Sequence, residues 1–270
     1  MMINSITGLI ITYNEEENIA RTLSALQWLN EIVIVDSGSN DMTLDIIRGF
    51  PNTRLVRRDF DSFANQCNYG LKNIESDWVL SLDADYVLGP EIVEEILSLF
   101  YHQAVGNLEL ASGYRISFRY CINGKPLRSG LLPPRVCLYK KAMAHYVNEG
   151  HGHRVSLVGD VRALTNKIFH DDRKGIDIWL DNQKKYQKIE ASMLMRANSM
   201  KLPIQDKIRK HTFLAPFIAF FYCIFFRGGL LDGKEGIIYA LQRVVAESLL
   251  FLNMHYLPSK KGSSNGQFLI

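Results

Sequence analysis

Hydrophobic positions in the first hundred residues follow two alternating spacings. Short runs rich in Ile, Val and Leu predict strands at residues 6–12, 31–35, 53–56 and 78–82. Apolar residues three and four positions apart predict helices between and after them, at residues 14–26, 42–47, 63–71 and 91–100. The first helix has Asn14 as its expected N-cap, with Glu17 three residues on. This β-α-β-α-β-α-β-α order predicts an α/β fold with a mostly parallel central sheet and helices on both faces.

Polar side chains follow three of the predicted strands at the points where those strands end. The clusters are Thr12-Tyr13-Asn14-Glu15, the segment from Asp36 to Asp41, and Asp83-Ala84-Asp85. Ligands of open α/β sheets bind outside the carboxyl ends of the strands. The three clusters are therefore expected to meet in one crevice.

Asp83 and Asp85 end an apolar strand and lie two residues apart. Residues i and i+2 of an extended segment point the same way. Paired carboxylates are hard oxygen ligands that suit Mg²⁺ or Mn²⁺. The pair predicts a divalent metal site, and an ordinary acidic turn is the alternative interpretation.

The first two polar clusters indicate a nucleotide site of a particular kind. Asp36 at the end of the second strand is suited to bind a ribose hydroxyl, as in dinucleotide dehydrogenases. The first turn, however, carries Glu15, Glu16 and Glu17 where a phosphate-binding loop needs glycines. We therefore expect a nucleotide-diphosphate site whose phosphate charge is neutralised by a metal at Asp83 and Asp85.

Composition limits the function classes. The formal net charge of +3 over 270 residues does not indicate a nucleic-acid partner. The four cysteines have no metal-ligand spacing, which predicts reduced thiols in a cytosolic setting. The N-terminus lacks the basic and apolar regions of a signal peptide.

Taken together, these motifs resemble a known family. The runs Thr12-Tyr13-Asn14-Glu15-Glu16, Val35 to Thr43 and Leu82 to Asp85 are similar in order and spacing to those of inverting family 2 glycosyltransferases with the GT-A fold. A bacterial subgroup, which includes lipopolysaccharide core glucosyltransferases and exopolysaccharide enzymes, also resembles this chain at His170-Asp171-Asp172-Arg173-Lys174 and from Leu231 to Gly236. The resemblance implies an enzyme at the cytoplasmic face of the bacterial plasma membrane. Its expected substrates are a UDP-sugar and a lipid-linked or lipopolysaccharide glycan.

The resemblance also implies roles for individual residues. Asp83 is expected near the ribose and diphosphate, and Asp85 on the metal, with His170 as a third metal ligand. Arg173 and Lys174 are expected beside the leaving diphosphate. The remaining nucleotide-sugar contacts are expected from Thr12, Tyr13, Asn14, Glu15, Asp36, Ala84 and Gln66, although a glutamine on a helix such as 63–71 is more often solvated.

Inversion by single displacement needs a base that accepts the proton of the acceptor hydroxyl. Glu149, flanked by glycine-containing sequence, occupies the position that the family uses for its catalytic acidic residue. Asp171 and Asp172 are the alternatives. Arginines of the acceptor half are candidates for binding phosphate or carboxylate groups, and the sequence does not rank them: Arg115, Arg119, Arg128 and Arg135.

The last third of the chain predicts amphipathic and apolar helices. Between residues 184 and 210 there are eight basic and two acidic residues, followed by an apolar run at 213–226. Fourteen residues are too few to cross a hydrocarbon core of about 30 Å. This run therefore predicts an interfacial or re-entrant segment on an anionic membrane surface, with a buried hairpin or an oligomer contact as alternatives.

The expected organisation is a GT-A domain at residues 1–175, helices at 176–257 and a flexible tail at 258–270. The GT-A domain divides into a nucleotide-sugar half (1–112) and an acceptor half (113–175). Two alternatives to a glycosyltransferase remain. One is a non-catalytic nucleotide-sugar or glycan-binding protein, and the other is a sugar nucleotidyltransferase, which usually has a Gly-rich first loop.

Overall fold

Four parallel strands form the first half of the central sheet. The computed structural model describes residues 5–149 and 152–256. Its first elements are β1 (Ile6–Thr12), α1 (Ile19–Ser24), β2 (Ile32–Asp36), α2 (Thr43–Arg48), β3 (Thr53–Arg57), α3 (Phe63–Lys72) and β4 (Trp78–Asp83). The strands lie in the order β3-β2-β1-β4, and they pair in parallel, as expected from the sequence, because each is joined to the next by a helical crossover.

The second half of the sheet is mixed. It contains β5 (Tyr86–Leu88), α4 (Pro90–Ala104), β6 (Gly113–Ile122), β7 (Lys125–Pro126), β8 (Arg135–Lys140) and β11 (Val161–His170), with the hairpin β9 (Ala144–Glu149) and β10 (Gly152–Leu157) outside the sheet. The strand β8 runs antiparallel between β4 and β6, and β11 lies parallel to β6 and antiparallel to β5. The α/β class is confirmed. Parallel pairing dominates only in the nucleotide-sugar half.

Two apolar clusters pack on the faces of the sheet. Ile10, Ile34 and Leu80 belong to one of them, together with side chains of α1, α2 and α4. Leu9, Val35 and other strand residues of opposite orientation pack against α3. This two-sided burial explains why the parallel strands read as nearly continuous apolar runs.

The first helix begins later than expected. Asn14 has a left-handed backbone with φ of 52°, and α1 starts at Ile19 after Asn18. The prediction of Asn14 as N-cap was therefore wrong. Residues 15–18 form a turn at the carboxyl edge of the sheet. Side chains of this turn bond to neighbouring loops instead of capping a helix.

Helices form the remainder of the described chain. They are α5 (Ile176–Arg196), α6 (Ile204–His211), α7 (Ala215–Phe221), which continues as a π-helical turn (Tyr222–Phe226), and α8 (Lys234–Tyr256). The helix α8 packs against α5 through Ala191, Leu194 and Leu250. The expected tail at 258–270 lies outside the described residues.

Candidate functional site

The first two polar clusters interlock at the carboxyl ends of β1 and β2. The backbone N–H of Asn14 donates to Ser39 Oγ at 2.9 Å, and Asn14 Oδ1 accepts from the N–H of Asn40 at 2.9 Å. The N–H of Glu15 donates to Thr43 Oγ1 at 2.7 Å. These bonds hold two loops together that the sequence places 25 residues apart, and they leave the Tyr13 ring half exposed.

Asp36 organises this pair of loops from within. Its carboxylate is buried and accepts hydrogen bonds from the N–H groups of Gly38 and Ser39, from Ser39 Oγ and from Thr12 Oγ1. Gly38 adopts φ of 96°, a backbone conformation that favours glycine. Since four protein donors use its oxygens, Asp36 shapes the loop, and the expected contact with a nucleoside remains a prediction.

Gln66 is buried, contrary to the solvated position that is usual for a glutamine on a helix. Its Nε2 donates to Ser37 Oγ at 2.7 Å and to the carbonyl of Arg58 at 2.9 Å, and its Oε1 accepts from Arg58 Nη1. Gln66 therefore fastens the second loop to α3, and an effect on a ligand would pass through that loop.

Asp83 and Asp85 lie at the end of β4, beside Ile11 of β1. His170 ends β11 opposite Tyr86, so its Nε2 lies 3.0 Å from Asp85 Oδ2. Burial lowers the pKa of His170, but the charges of Asp85 and Asp83 and the hydrogen bond to Asp85 outweigh burial and raise that pKa above its ordinary value. Ala84, which lies between Asp83 and Asp85, is buried, and its carbonyl accepts a hydrogen bond from Thr22 Oγ1 at 2.6 Å.

The donor set suits a hard divalent cation. Asp85 Oδ1 is buried and has no hydrogen-bond partner among the described residues. Burying a carboxylate oxygen costs folding free energy unless a hydrogen-bond donor or a cation binds it. Across residues 5–149 and 152–256, no three His, Cys, Asp or Glu side chains form a group close enough to bind a metal, so His170 and Asp83 are not assembled with Asp85 as three ligands. Mg²⁺-type ions are often held by one or two carboxylates, with water and substrate phosphate completing the shell. Asp85 and Asp83 fit that pattern.

Arg173 and Lys174, the two cations expected at the diphosphate, each form an ion pair with a carboxylate. Arg173 donates from Nε and Nη2 to both oxygens of Asp171 at 2.8 Å, and Lys174 Nζ lies 2.5 Å from Glu15 Oε1. The guanidinium of Arg173 is thus bonded to Asp171, and its expected position beside the leaving diphosphate stays a prediction. Lys174 lies at the edge of the crevice through its pair with Glu15.

Burial raises the pKa of Glu15 to about 7, although the adjacent Lys174 acts in the opposite direction and the charge of Asp85 adds to the rise. Asn18, which is also buried, donates to Glu15 Oε2 and to Asp172 Oδ1 at 2.9 Å and accepts from the N–H of Arg173. This asparagine joins the first loop to the segment after β11. The sequence analysis assigned it to the interior of a helix and missed it.

Glu149 ends β9, where it pairs with Gly152 of β10. Its side chain lies outside what the structure describes. The hairpin is anchored on α3 by Asn68, which bonds the N–H and the carbonyl of Tyr146 at 2.9 Å. Burial lowers the pKa of His153 in β10, while the nearby charges of Asp83 and Arg135 act on it in opposite directions. The Tyr146 hydroxyl donates to Ser81 Oγ at 2.7 Å, so the hairpin lies against β4.

Two further side chains border the carboxylates. Arg135 Nη1 lies 3.5 Å from Asp83 Oδ2 and 3.4 Å from the Tyr86 hydroxyl. Burial raises the pKa of Tyr186 on α5, and the charges of Asp83 and Asp85 raise it further. The sequence named Arg135 only among four unranked arginines and gave Tyr186 no role, because both lie far along the chain from Asp83 and only the fold brings them near.

The comparisons with known proteins cover most of the chain. Residues 8–122 match the glycosyl transferase family 2 model. An uncharacterized glycosyltransferase of Rickettsia typhi is 25% identical over 203 residues, covering 71% of this chain and 68% of that protein. The lipopolysaccharide core biosynthesis glycosyltransferase LpsC of Rhizobium meliloti is 25% identical over 249 residues, covering 89% and 88%. Among solved structures, S. aureus TarS 1-349 in complex with UDP-GlcNAc aligns with a TM-score of 0.48 and 13% identity, covering 93% of this chain and 90% of that one.

The matched region contains all three polar clusters at the strand ends, and LpsC extends the similarity through the C-terminal helices. The α/β architecture, with parallel strands β1 to β4 leading to the Asp83-Ala84-Asp85 turn, agrees with the GT-A fold that the sequence resemblance implied. Residues 8–122 of this chain thus match the family 2 glycosyltransferases, the family that the sequence resemblance implied.

Proposed function

We propose that this enzyme transfers a sugar, with inversion, from a UDP-sugar to a hydroxyl group of a lipid-linked glycan, and that Asp85 and Asp83 hold a divalent metal. The observation that carries the proposal is the buried, unpartnered Oδ1 of Asp85 at the end of β4, within the described part of the chain. It lies where the loops after β1 and β2 converge. This is the position at which α/β sheets bind nucleotides.

Different residues of the chain have different roles in the proposed reaction. The interlocked loops around Asn14 and Ser39 form a fixed wall for the nucleoside, and the exposed Tyr13 ring offers a face on which uracil can stack. When bound, a divalent metal supplies positive charge that stabilises the departing diphosphate. The bond from the acceptor oxygen to the anomeric carbon forms as the bond from that carbon to the diphosphate breaks, and UDP leaves.

Glu149 is our proposed base for the acceptor proton. The β9–β10 hairpin that carries Glu149 is bonded to β4, because the Tyr146 hydroxyl donates to Ser81 Oγ at 2.7 Å, and this contact supports the assignment. A carboxylate carried on that hairpin can accept the proton as the acceptor oxygen attacks. Asp171 is a weaker candidate for the base than Glu149, because both of its carboxylate oxygens accept hydrogen bonds from Arg173.

The acceptor is proposed to be membrane-bound, and the composition of the C-terminal surface supports this. Large apolar side chains of α7, the following turn and α8 are more than one-third exposed; we call them the C-terminal apolar surface: Phe217, Phe221, Phe225, Phe226, Leu231 and Leu241. The relative LpsC is named for lipopolysaccharide core biosynthesis. A core glycan carried by lipid would be presented at such a surface.

Charge favours an anionic lipid surface as the occupant. Residues 212–256 contain three carboxylates, Asp232, Glu235 and Glu247, and all three are buried and paired within the protein. The exposed charges of the same region include Arg227 and Lys234, which are cationic. This region therefore exposes apolar and cationic side chains and buries its carboxylates. Such a surface is typical of segments that lie in the headgroup region at the inner face of a bacterial membrane.

The helix α8 has 23 residues, and its most apolar 18-residue stretch has a mean hydropathy of 1.3, so it is by length and composition the one described helix able to cross a membrane. The sequence predicts a C-terminal helical membrane-associating region, with residues 213–226 as its interfacial or re-entrant segment. Glu247 on α8 accepts from Arg209 Nε at 2.9 Å and from Arg243 Nη2 at 2.7 Å, which ties this helix to α6. Because that ion-pair network would be expensive in hydrocarbon, we propose that α8 lies at the interface and does not span the bilayer.

The activity is tested by incubating the full-length protein with a panel of UDP-sugars, glycolipid acceptors extracted from bacterial membranes, and Mn²⁺, Mg²⁺ or EDTA. We expect UDP release with one sugar, abolished by EDTA and increased by acceptor. Metal-dependent UDP binding without release, for any acceptor, would instead support a binding protein. Release of pyrophosphate from UTP and a sugar phosphate would identify a nucleotidyltransferase.

A further inference from the structure

Arg135 differs from the other arginines of the acceptor half in its position. It opens β8, which lies next to β4, so its guanidinium reaches Asp83 Oδ2 and the Tyr86 hydroxyl. Arg173 and Lys174, the cations that the sequence placed at the diphosphate, are closely paired with Asp171 and Glu15. Arg135 is therefore an arginine that the fold brings to the Asp83-Ala84-Asp85 turn.

The contacts of Arg135 are loose. Its distances of 3.5 Å to Asp83 and 3.4 Å to Tyr86 exceed the ~2.7–2.9 Å of a strong charge-assisted hydrogen bond. Arg173, by comparison, reaches Asp171 with two bonds of 2.8 Å. A guanidinium has five N–H donors in a planar fork that matches phosphate oxygens. Arg135 thus keeps donors available for an anion that enters the crevice.

The segment that leads to Arg135 is held in place by the C-terminal helices. Asp232 is buried and accepts from the N–H groups of Arg128 and Ser129 and from Ser129 Oγ at 2.8–3.0 Å. The N–H of Leu131 donates to the Tyr239 hydroxyl at 2.9 Å. Gly236 allows this arrangement, because a Cβ there would lie 2.1 Å from the carbonyl oxygen of Gly229.

This attachment orders residues 128–131 before any ligand binds. A binding residue whose backbone is already fixed loses less conformational entropy when its ligand arrives. The conspicuous run from Leu231 to Gly236, whose purpose the sequence did not reveal, therefore has a structural role in the approach to β8.

We propose that Arg135 is a substrate-positioning residue that binds phosphate oxygens in the crevice. The inference rests on the proposed function, since it assigns the anion to a substrate. The same chemistry has two sources, namely the diphosphate of the UDP-sugar and a phosphate group on the acceptor glycan. The proximity of Arg135 to Asp83 favours the diphosphate.

The test compares three purified full-length variants, Arg135→Gln, Arg135→Lys and Arg162→Gln. Arg162 is an exposed arginine near the start of β11, at the opposite end of that strand from His170. Its guanidinium bonds to the carbonyl of Glu109 and to Asp160, so it is a matched control away from the Asp83-Ala84-Asp85 turn. Thermal unfolding confirms that each variant is folded.

Calorimetry with UDP and with inorganic pyrophosphate, each in Mn²⁺, is the primary measurement. We expect Arg135→Gln to weaken both affinities about ten- to a hundredfold, as for the loss of a charged hydrogen bond. Arg135→Lys should lie between Gln and wild type, because it keeps the charge and loses the fork. Arg162→Gln should equal wild type.

Steady-state kinetics separate the two sources. If UDP and pyrophosphate affinities are unchanged but the acceptor KM rises at least tenfold in Arg135→Gln, the bound phosphate belongs to the acceptor. If Arg135→Gln equals Arg162→Gln in every one of these measurements, the proposal is overturned while glycosyl transfer stands. If wild type releases no UDP from any donor, the proposed function fails, and the pyrophosphate titration still decides whether Arg135 binds a diphosphate.

Discussion

Replacing three exposed phenylalanines should detach the protein from membranes without unfolding it. Phe217, Phe221 and Phe225 are spaced four residues apart, and the rings of Phe221 and Phe225 stack with centroids 5.9 Å apart. Their exposed fractions are 60%, 53% and 62%. Phe220 is left intact, because it packs against the buried cluster that includes Cys223 and Tyr239.

The magnitude follows from the exposed area. An aromatic side chain has about 200 Å² of surface, so the three rings present roughly 350 Å² to solvent. At about 25 cal/mol per Å², full insertion would be worth roughly 9 kcal/mol. If half of that area leaves water, about 4 kcal/mol remains, which is roughly a thousandfold in partitioning. Arg227 and Lys234 add on the order of 1 kcal/mol each on anionic lipid, a contribution that salt screens.

The assay is co-sedimentation with vesicles of phosphatidylglycerol and phosphatidylethanolamine, at low and high salt. Wild type should bind, more weakly at high salt, and the variant with Ser at residues 217, 221 and 225 should lose binding at least a hundredfold while its UDP affinity is unchanged. A variant with Ser in place of Tyr101 and Val105, exposed apolar residues of α4 and the turn after it, controls for the loss of apolar surface elsewhere.

Two results would refute this reasoning. Wild type that ignores the vesicles would show that the C-terminal apolar surface serves another partner, and light scattering would then report whether that partner is a second copy of the chain. A phenylalanine variant that melts far below wild type would show that these rings stabilise the fold.

The other predictions concern the crevice. Asp85→Asn should abolish the effect of Mn²⁺ on UDP affinity in calorimetry, whereas Asp77→Asn, at the opposite end of the same strand, should not; equal Mn²⁺ dependence in both would remove the metal from Asp85. Glu149→Gln should lower kcat by two to four orders of magnitude at unchanged UDP affinity, with exposed Glu75→Gln as control, and a near-normal kcat would assign the base to another carboxylate. Glu15 has a pKa of about 7 when folded and 4.5 as its ordinary value, so the folded protein retains a proton that the unfolded chain has lost. Its contribution to the unfolding free energy should therefore fall by about 3 kcal/mol as pH rises from 4.5 to 7. Urea unfolding across this range should show a flatter pH dependence for Glu15→Gln, and parallel curves would contradict the buried position.

The nucleotide-sugar half could be predicted well from the sequence, because its signals are local. Each parallel strand is buried on both faces and therefore reads as an apolar run, and β1 was predicted to the residue. The clusters at Thr12, Asp36 and Asp83 lie side by side because parallel strands end at the same edge of the sheet, so topology alone brings them together.

The partner of each charged side chain was decided by the tertiary structure. A list of charged residues does not say which carboxylate an arginine will meet, since that depends on contacts between distant segments. Arg173 pairs with Asp171, while Arg135, 52 positions from Asp83 in sequence, is the cation beside it. Asn18 illustrates the same limit, because its bond to Asp172 crosses 154 positions.

The sequence by itself thus determined the α/β class, the strands of the nucleotide-sugar half and the location of the carboxylates, since these follow from periodicity and strand ends. Only the folded structure decided the antiparallel pairing of β8 and the burial of Asp232, Glu235 and Glu247 beneath the C-terminal apolar surface. Strand register and long-range ion pairs depend on which distant segments come into contact. The free energy of those contacts depends on the whole fold.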